Sequence, residues 1–437
     1  MRIITLEQDQ LPEEDLIKRG VLFDPEVVST VAEIIQTVRD EGDQALFDYT
    51  QQFDGIRLRE LRIQDAEIKL ASRMVHKNVI KALQKAAENI VHFHEHQKRE
   101  GMLVARASGA LLGTRTTPID SVGIYVPGGR AIYPSTVLMC ALPAKLAGVR
   151  RIVMVTPPSE NGRVDPLLIT AAQIAGVTDI YAVGGAQAIA ALAYGTESIA
   201  PVDKIVGPGN AYVAAAKRAV SGDVGIDMVA GPSELAILAD ESSEPALLAL
   251  DLMAQAEHDP DAACYLITTD PELVEEVLEE IEAFLEDTPR KEITKEALDK
   301  KGIIFVAPDL STALGAINAI APEHLELQTA DPQDYLGLID NAGAIFLGSW
   351  TPSSVGDYAA GTNHTLPTSS TARYSSPLSV NDFVKFSNII SYTSSALKQD
   401  EETILTLAAV EGLWAHGKSV RARFELDEFD DEDEDED

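Results

Sequence analysis

Val122-Gly-Ile-Tyr-Val-Pro127 opens the stretch that decides the fold. This short apolar run, bounded by a Pro-Gly turn, reads as a buried strand, and Pro134–Ala147 follows it at helical length. The alternation then repeats. Arg151–Pro157 precedes a helix over Pro166–Ala175, Asp179-Ile-Tyr-Ala-Val183 precedes Ala186–Tyr194, and Lys204-Ile-Val206 precedes Ala211–Val220. Strands separated by helices predict a parallel α/β sheet with helices on its faces. A second series begins near Glu234, with strands at Leu235–Leu238, Ala263–Thr268, Ile303–Val306 and Ala344–Leu347. Its helices fall at Pro245–Ala256, Pro271–Leu285 and Ser311–Ile320, so one architecture reads as used twice.

Upstream, residues 1–25 are polar with a short helical pattern around Leu11 to Arg19. Two amphipathic stretches follow, Pro25–Gln52 and Ala66–Arg99, the first with Val27, Val31, Ile34, Ile35 and Val38 at helical spacing. Downstream, a Ser/Thr/Gly/Pro-rich connection runs from Ser349 to about Ser379, too long to be idle in a compact domain. A final helix, Glu401–His416, leads into an acidic tail.

An apolar fraction of 45% suits a globular protein, and no apolar run approaches the roughly 18–20 residues of a membrane span. The N-terminus lacks signal-peptide or transit-peptide character. Two cysteines, Cys140 and Cys264, cannot frame a disulfide scaffold, so a reducing, cytoplasmic setting is expected. Seventy acids face thirty-five bases, a net charge of -35. The last fourteen residues hold eleven of those acids, and without them the charge is still about -24, so the acidity is global. Two readings fit: adaptation to high salt, or an ordinary acidic enzyme with a self-repelling, disordered tail. Nucleic acid is excluded as a partner, because phosphate backbones need basic surface.

The polar chemistry gathers in four patches: Gln255-Ala-Glu-His258, Glu323-His324, Asp357 with His364, and Glu411 with His416. Imidazole, carboxylate and carboxamide oxygen suit a borderline cation such as zinc, and a Glu-His pair supplies acid and base near neutrality. Gln255 and His258 share a helix face at i and i+3, although a His near a helix end also serves as a cap. Glu323-His324 follows Ala321-Pro322 on an expected loop, where both side chains can enter one cleft. Glu411 and His416, at i and i+5, need a helix end between them or contact with different atoms of the ligand. His92, His94 and His96 lie in a helical stretch that points i and i+2 apart, which predicts solvated or capping roles. Cys264 alternates with apolar neighbours and reads as a buried structural thiol.

Three glycine turns follow strands and precede helices: Pro127-Gly-Gly-Arg130, Gly184-Gly-Ala-Gln187 and Gly207-Pro-Gly-Asn210. Singly each is an ordinary βα turn. Three in one sheet suit an anionic or nucleotide ligand at helix N-termini, although no G-x-G-x-x-G is present.

In order along the chain, Tyr125-Val-Pro-Gly-Gly129, Val183-Gly-Gly-Ala-Gln187, Gly207-Pro-Gly-Asn210, Gly231-Pro-Ser-Glu234, Gln255-Ala-Glu-His258, Ala321-Pro-Glu-His324, Gly356-Asp-Tyr358 and Gly361-Thr-Asn-His364 resemble the histidinol dehydrogenase family, over about residues 20–420. The resemblance implies an α/β fold of two incomplete Rossmann-like domains with parallel-sheet cores, plus small helical N- and C-terminal segments. It divides the chain into an N-terminal helical segment (1–25), a first Rossmann-like domain (26–120 with 235–370), a second (121–234), a C-terminal dimerisation segment (371–424) and the tail (425–437). It implies one zinc ion per subunit, held by Gln255, His258, Asp357 and His416, the last reaching across a homodimer. It implies L-histidinol touched by Ser233, Gln255, His258, His324, Asp357, His364, Glu411 and His416, and NAD beside Tyr125, Gln187 and Asn210.

In the chemistry so implied, His324 takes the hydroxyl proton as hydride leaves for NAD, and Glu323 activates water toward the aldehyde. His324 acts again in a second oxidation, giving L-histidine. A zinc hydrolase with Glu323 activating water, and a metal- or histidine-sensing protein, are the alternative readings. Three glycine turns count against a hydrolase, which needs no dinucleotide cradle.

Overall fold

Apolar, β-branched runs of four to six residues, each too short for a stable helix, become strands wherever an apolar helix can cover them. The computed structural model describes residues 1–17, 23–128 and 132–432, with 426–432 as backbone. The chain forms two compact units, one of Met1–Lys98 with Ile119–Phe383 and another of Arg99–Pro118 with Val384–Asp437.

The strands before residue 120 are β1 (Arg2–Thr5), β2 (Met102–Ala105) and β3 (Leu111–Pro118). The first series gives β4 (Ser121–Tyr125), β5 (Arg151–Thr156), β6 (Asp179–Ala182), β7 (Lys204–Val206) and β8 (Gly225–Ile226). The second gives β9 (Glu234–Ala239), β10 (Ala263–Thr268), β11 (Gly302–Val306), β12 (His324–Gln328) and β13 (Ala344–Leu347), and β14 (Val384–Ser391) comes last.

The first unit holds two parallel sheets of the same winding. One has the order β6-β5-β4-β7-β8 and the other β1-β11-β10-β9-β12-β13. Without β1, both start with the central strand, wind outward on one side, then return to the other. Each therefore has a topological switch point, between β4 and β7 in one and between β9 and β12 in the other. The expected double use of one doubly wound α/β architecture is present.

Several expectations need correction. Residues 2–5 are not helical: they add a parallel edge strand beside β11, with Ile4 opposite Phe305. Residues 11–17 form turns, and the rest of the expected Leu11–Arg19 pattern lies outside the described residues. The helices of residues 25–95 were grouped with the 235–370 sheet, yet they pack on the five-stranded one. Val31, Ile34, Ile35 and Val38 of the helix Pro25–Glu41 enter one core with Val153, Val155 and Ile189. Leu83, Ala87 and Ile90 of the helix Lys77–Glu95 enter another with Val137 and Leu138. Apolar stripes show that a helix is covered, but not which of two similar sheets covers it. His94 is buried, with Nδ1 2.7 Å from Gln97 Oε1, instead of solvated. The Ser/Thr/Gly-rich connection contains a short helix, Ser353–Tyr358.

The second unit is an antiparallel sheet, β14-β3-β2, with helices Ser394–Val410 and Trp414–Glu432. The expected helix Glu401–His416 is split: its first part belongs to Ser394–Val410, and Gly412 at φ +70° separates Glu411 from the second helix, which starts at Trp414. That helix continues into the acidic stretch expected to be disordered, and residues 433–437 lie outside the described residues. Among the described residues no helix is long and apolar enough to cross a membrane.

Candidate active site

β9 and β12 run in parallel register with His324 opposite Leu235, so the residues entering them, Ser233-Glu234 and Glu323-His324, meet at the amino edge of the six-stranded sheet. The peptide groups of Glu234 grip both members of the Glu-His pair. Its N–H donates to Glu323 Oε2 at 2.9 Å, and its carbonyl oxygen lies 3.0 Å from His324 Nδ1. A carbonyl only accepts, so Nδ1 carries the proton and Nε2 keeps its lone pair. Phe346 stacks on the imidazole with centroids 5.9 Å apart.

Burial holds His324 below the ordinary imidazole range, against the pull of Asp357, so the ring is a neutral base. Burial also raises the Glu323 carboxyl well above the usual range, with the Glu234 amide opposing. The pair was expected on a loop. Instead Glu323 precedes, and His324 opens, a strand whose Leu325 and Leu327 are buried on one face. Three polar residues at 323, 324 and 326 disguise it.

The helix Pro245–Ala256 leaves the carboxyl edge of β9 and returns to the amino edge of β10, which brings Gln255 in its last turn, and His258 just beyond, back to the same edge. Asp357 lies in the last turn of Ser353–Tyr358, its Oδ1 3.7 Å from His364 Nδ1. His364 Nε2 in turn lies 3.4 Å from Thr136 Oγ1, on the helix Pro134–Ala147 of the other sheet. Burial lowers the His364 pKa, and Asp357 opposes the shift. His258 and Asp357 open on a cavity of about 440 Å³ walled by Ile90, Tyr133, Met139 and Arg290.

This donor set suits zinc in kind: one carboxamide, one imidazole and one carboxylate, with two of the three on a common cavity. Among the described residues no three His, Cys, Asp or Glu side chains gather as they would around an ion. Of the expected zinc ligands in the first unit, His258 and Asp357 are of those types and Gln255 is not.

Behind the site lies a feature that sequence reading missed. Glu326, fully buried on β12, accepts from Ser353 N–H at 2.8 Å and from Gln328 Nε2 at 3.1 Å. Asp251, on the helix that carries Gln255, shares a hydrogen bond with it. Burial first, and then the Glu326 charge, push Asp251 up to about 8.

At the carboxyl edge of the five-stranded sheet, Tyr125 ends β4 and its hydroxyl oxygen accepts from Gly185 N–H at 3.1 Å. Burial pushes that phenol up to about 12. Gln187, in the first turn of Gly185–Tyr194, has a buried Oε1 without a partner among the described residues. Asn210 caps Ala211–Val220 by accepting from Tyr212 and Val213 N–H. Gly207 has φ +109°, and a Cβ there would sit 2.2 Å from Tyr125 O. A buried Lys217–Asp227 ion pair grips it from both sides: Lys217 Nζ donates to its carbonyl at 2.9 Å, and Asp227 Oδ2 accepts from its N–H at 2.8 Å. An unsatisfied amide oxygen beside turns that open onto helix N-termini suits a dinucleotide. Gly129 and Arg130 of the first turn lie outside the described residues.

Glu411 and His416 belong to the second unit. Glu411 ends Ser394–Val410 and His416 sits in the first turn of Trp414–Glu432, both exposed. Cys264 is a buried free thiol, as expected.

Two doubly wound sheets, one carrying glycine turns and the other a buried Glu-His pair beside metal-type donors, define a two-sheet α/β oxidoreductase. The family profile described as histidinol dehydrogenase matches residues 17–424. A histidinol dehydrogenase of Bacillus cereus is 52% identical over 93% of this chain and 95% of its own. One of Listeria monocytogenes is 52% identical over 97% and 99%. The crystal structure of histidinol dehydrogenase from Elizabethkingia anophelis superposes with a TM-score of 0.92 at 37% identity, covering 98% of both chains. The chain belongs to the histidinol dehydrogenase family. It is an NAD-dependent oxidoreductase of the final step of histidine biosynthesis, in a family that uses NAD and zinc. The hydrolase and sensor readings fall with that membership.

Proposed function

We propose that His324 is the general base and Glu323 the water activator in oxidation of L-histidinol to L-histidine through L-histidinaldehyde. The observation that carries the reading is the grip of Glu234 on both side chains, which fixes the His324 tautomer and leaves Nε2 as the base. His324 takes the hydroxyl proton of the alcohol. Glu323, more basic than an ordinary carboxylate, takes a proton from the water that adds to the aldehyde. His324 then takes the hydroxyl proton of the hydrate. When bound, NAD accepts the hydride of each oxidation, and zinc gathers the substrate's imidazole and amine.

Gln255, His258 and Asp357 would hold the zinc from one subunit, with His416 contributed by the other subunit of a homodimer. Two features support the shared site: the short ligand set of one chain, and the apolar exposure of the second unit, where Leu103, Ile390, Val410 and Trp414 face outward. Ser233, His364 and Glu411 would complete the contacts to substrate, and Tyr125, Gln187 and Asn210 those to NAD. Two free, buried thiols support a cytoplasmic setting.

The test is the yield of NADH per L-histidinol, with and without a strong chelator. Two NADH per substrate, lost with the chelator and restored by zinc, is the expected result. One NADH would overturn the water step assigned to Glu323, and chelator-resistant turnover would overturn the zinc assignment.

A further inference from the structure

Three side-chain and backbone groups behind the active site meet at one point, and each comes from a different element that carries a site residue. Asp251 precedes Gln255 by four residues on the helix Pro245–Ala256. Ser353 precedes Asp357 by four on Ser353–Tyr358. Glu326 follows His324 by two on β12. Residues at i and i+4 share a helix face, and residues at i and i+2 share a strand face. Each member of the cluster is thus one structural repeat from a zinc-ligand or base position, on the same side of its element.

We infer that Asp251, Glu326 and the Ser353 N–H form a positioning pin that sets Gln255, His324 and Asp357 in mutual register, and so sets zinc affinity. The inference rests on the zinc assignment proposed above. Both oxygens of Glu326 already accept from N–H groups, Oε1 from Ser353 and Oε2 from Gln328. A further hydrogen bond between two carboxyl groups requires a proton, so Asp251 is the donor and Glu326 the carboxylate. An ionised acceptor strengthens these bonds, and Glu326, the acceptor of all of them, is fully buried while Asp251 is partly buried. None of the three residues needs to touch substrate.

Three variants test the pin, read as zinc affinity of the metal-stripped full chain against a chromogenic chelator. Asp251→Asn keeps an N–H donor facing Glu326 and is expected to bind zinc within about threefold of wild type. Asp251→Leu keeps bulk but not the donor, and is expected to weaken zinc about 10- to 100-fold, the usual cost of losing a partner that orients a metal ligand. Ser353→Pro removes the N–H at the first residue of its helix, where proline is tolerated, and Pro352 already has the extended ψ of 156° that a following proline demands. It is expected to match Asp251→Leu, with an unchanged far-UV spectrum, and it keeps the idea testable if Asp251→Leu fails to fold.

Wild-type zinc affinity in Ser353→Pro overturns the pin. So does an Asp251→Asn variant as weak as Asp251→Leu, because the donor would then be irrelevant. A wild-type chain that takes up no zinc breaks the underlying ligand assignment, and that failure is seen before any variant is compared.

Discussion

The two sheets share a winding order yet place their chemistry at opposite ends. In the five-stranded sheet the glycine turns follow the carboxyl ends of β4, β6 and β7. In the six-stranded sheet the Glu-His pair and the donors Gln255 and His258 sit at the amino ends of β9, β10 and β12. The difference has a physical basis. A carboxyl edge leads into helix N-termini, whose free N–H groups and positive dipole suit the anionic bridge of a dinucleotide. An amino edge receives helix C-termini, whose carbonyl ends favour cations, and Gln255 and His258 arrive there on the end of such a helix. In the proposed assignment, the rule that doubly wound sheets bind ligands at carboxyl ends describes one sheet and fails for the other. The cavity is walled by Met139, on the helix that follows β4, and by His258, at the amino edge of β10.

The largest effects are expected at the amino edge. His324→Asn should lower kcat with L-histidinol by about 10²–10⁴, the usual range for a general base, with little change in KM for NAD. Glu323→Gln should leave the first oxidation nearly intact and stall the second, so that aldehyde accumulates at one NADH per histidinol. Stopped-flow NADH traces with either substrate separate the two. Near-normal alcohol oxidation by His324→Asn would remove chemistry from this edge and undo the contrast.

At the carboxyl edge the equivalent test is Lys217→Met, which leaves Asp227 buried without its cation. Breaking one side of a buried pair costs about 3–5 kcal/mol, seen as a lower unfolding midpoint. Because the pair holds Gly207, KM for NAD should rise while KM for L-histidinol stays put. Equal changes in both would mean that the edges are not separate devices.

Much of this was legible in sequence, and the gaps have a common cause. Period and length located the helices Pro245–Ala256 and Ala211–Val220 and the strands around them, since their apolar faces are continuous. β12 escapes a sequence reading because one of its two buried faces carries His324 and Glu326, which read as surface until their partners are known. The Asp251–Glu326 and Lys217–Asp227 pairs were invisible for the same reason: a buried charge has a sequence signature only through its partner, seventy-five and ten positions away. Glu234 lay inside a quoted motif, but nothing local revealed that its backbone holds the Glu323-His324 pair.

The pH profiles should also divide the two half-reactions. His324 titrates below its ordinary 6.5, so kcat/KM for L-histidinol should hold constant down to that value and fall only below it, as the base is protonated. Glu323 titrates well above its ordinary 4.5, so oxidation of supplied L-histidinaldehyde should lose rate as pH falls through a higher range than a free carboxylate would give. An alcohol limb at or above 6.5 would contradict the buried, neutral His324.

Charge divides the molecule in the same way and gives the smallest expected effect. Residues 121–230 carry seven acids and eight bases, whereas residues 231–350 carry twenty-six acids and five bases. In the assignment proposed above, the excess lies on the side that would receive a cationic amino alcohol and a metal ion, and the near-neutral side would receive the anionic dinucleotide. A field of this sign concentrates cations near the surface and is quenched as the Debye length shrinks from about 30 Å at 0.01 M salt to about 8 Å at 0.15 M. Over that range kcat/KM for L-histidinol should fall a few-fold, while kcat/KM for NAD holds or rises slightly. The unfolding midpoint should climb over the same range, since screening relieves repulsion that is concentrated in one half of the chain. Parallel salt responses for the two substrates would mean that the acidity serves the surface as a whole, and that the division of labour between the edges stops at the residues lining the cavity.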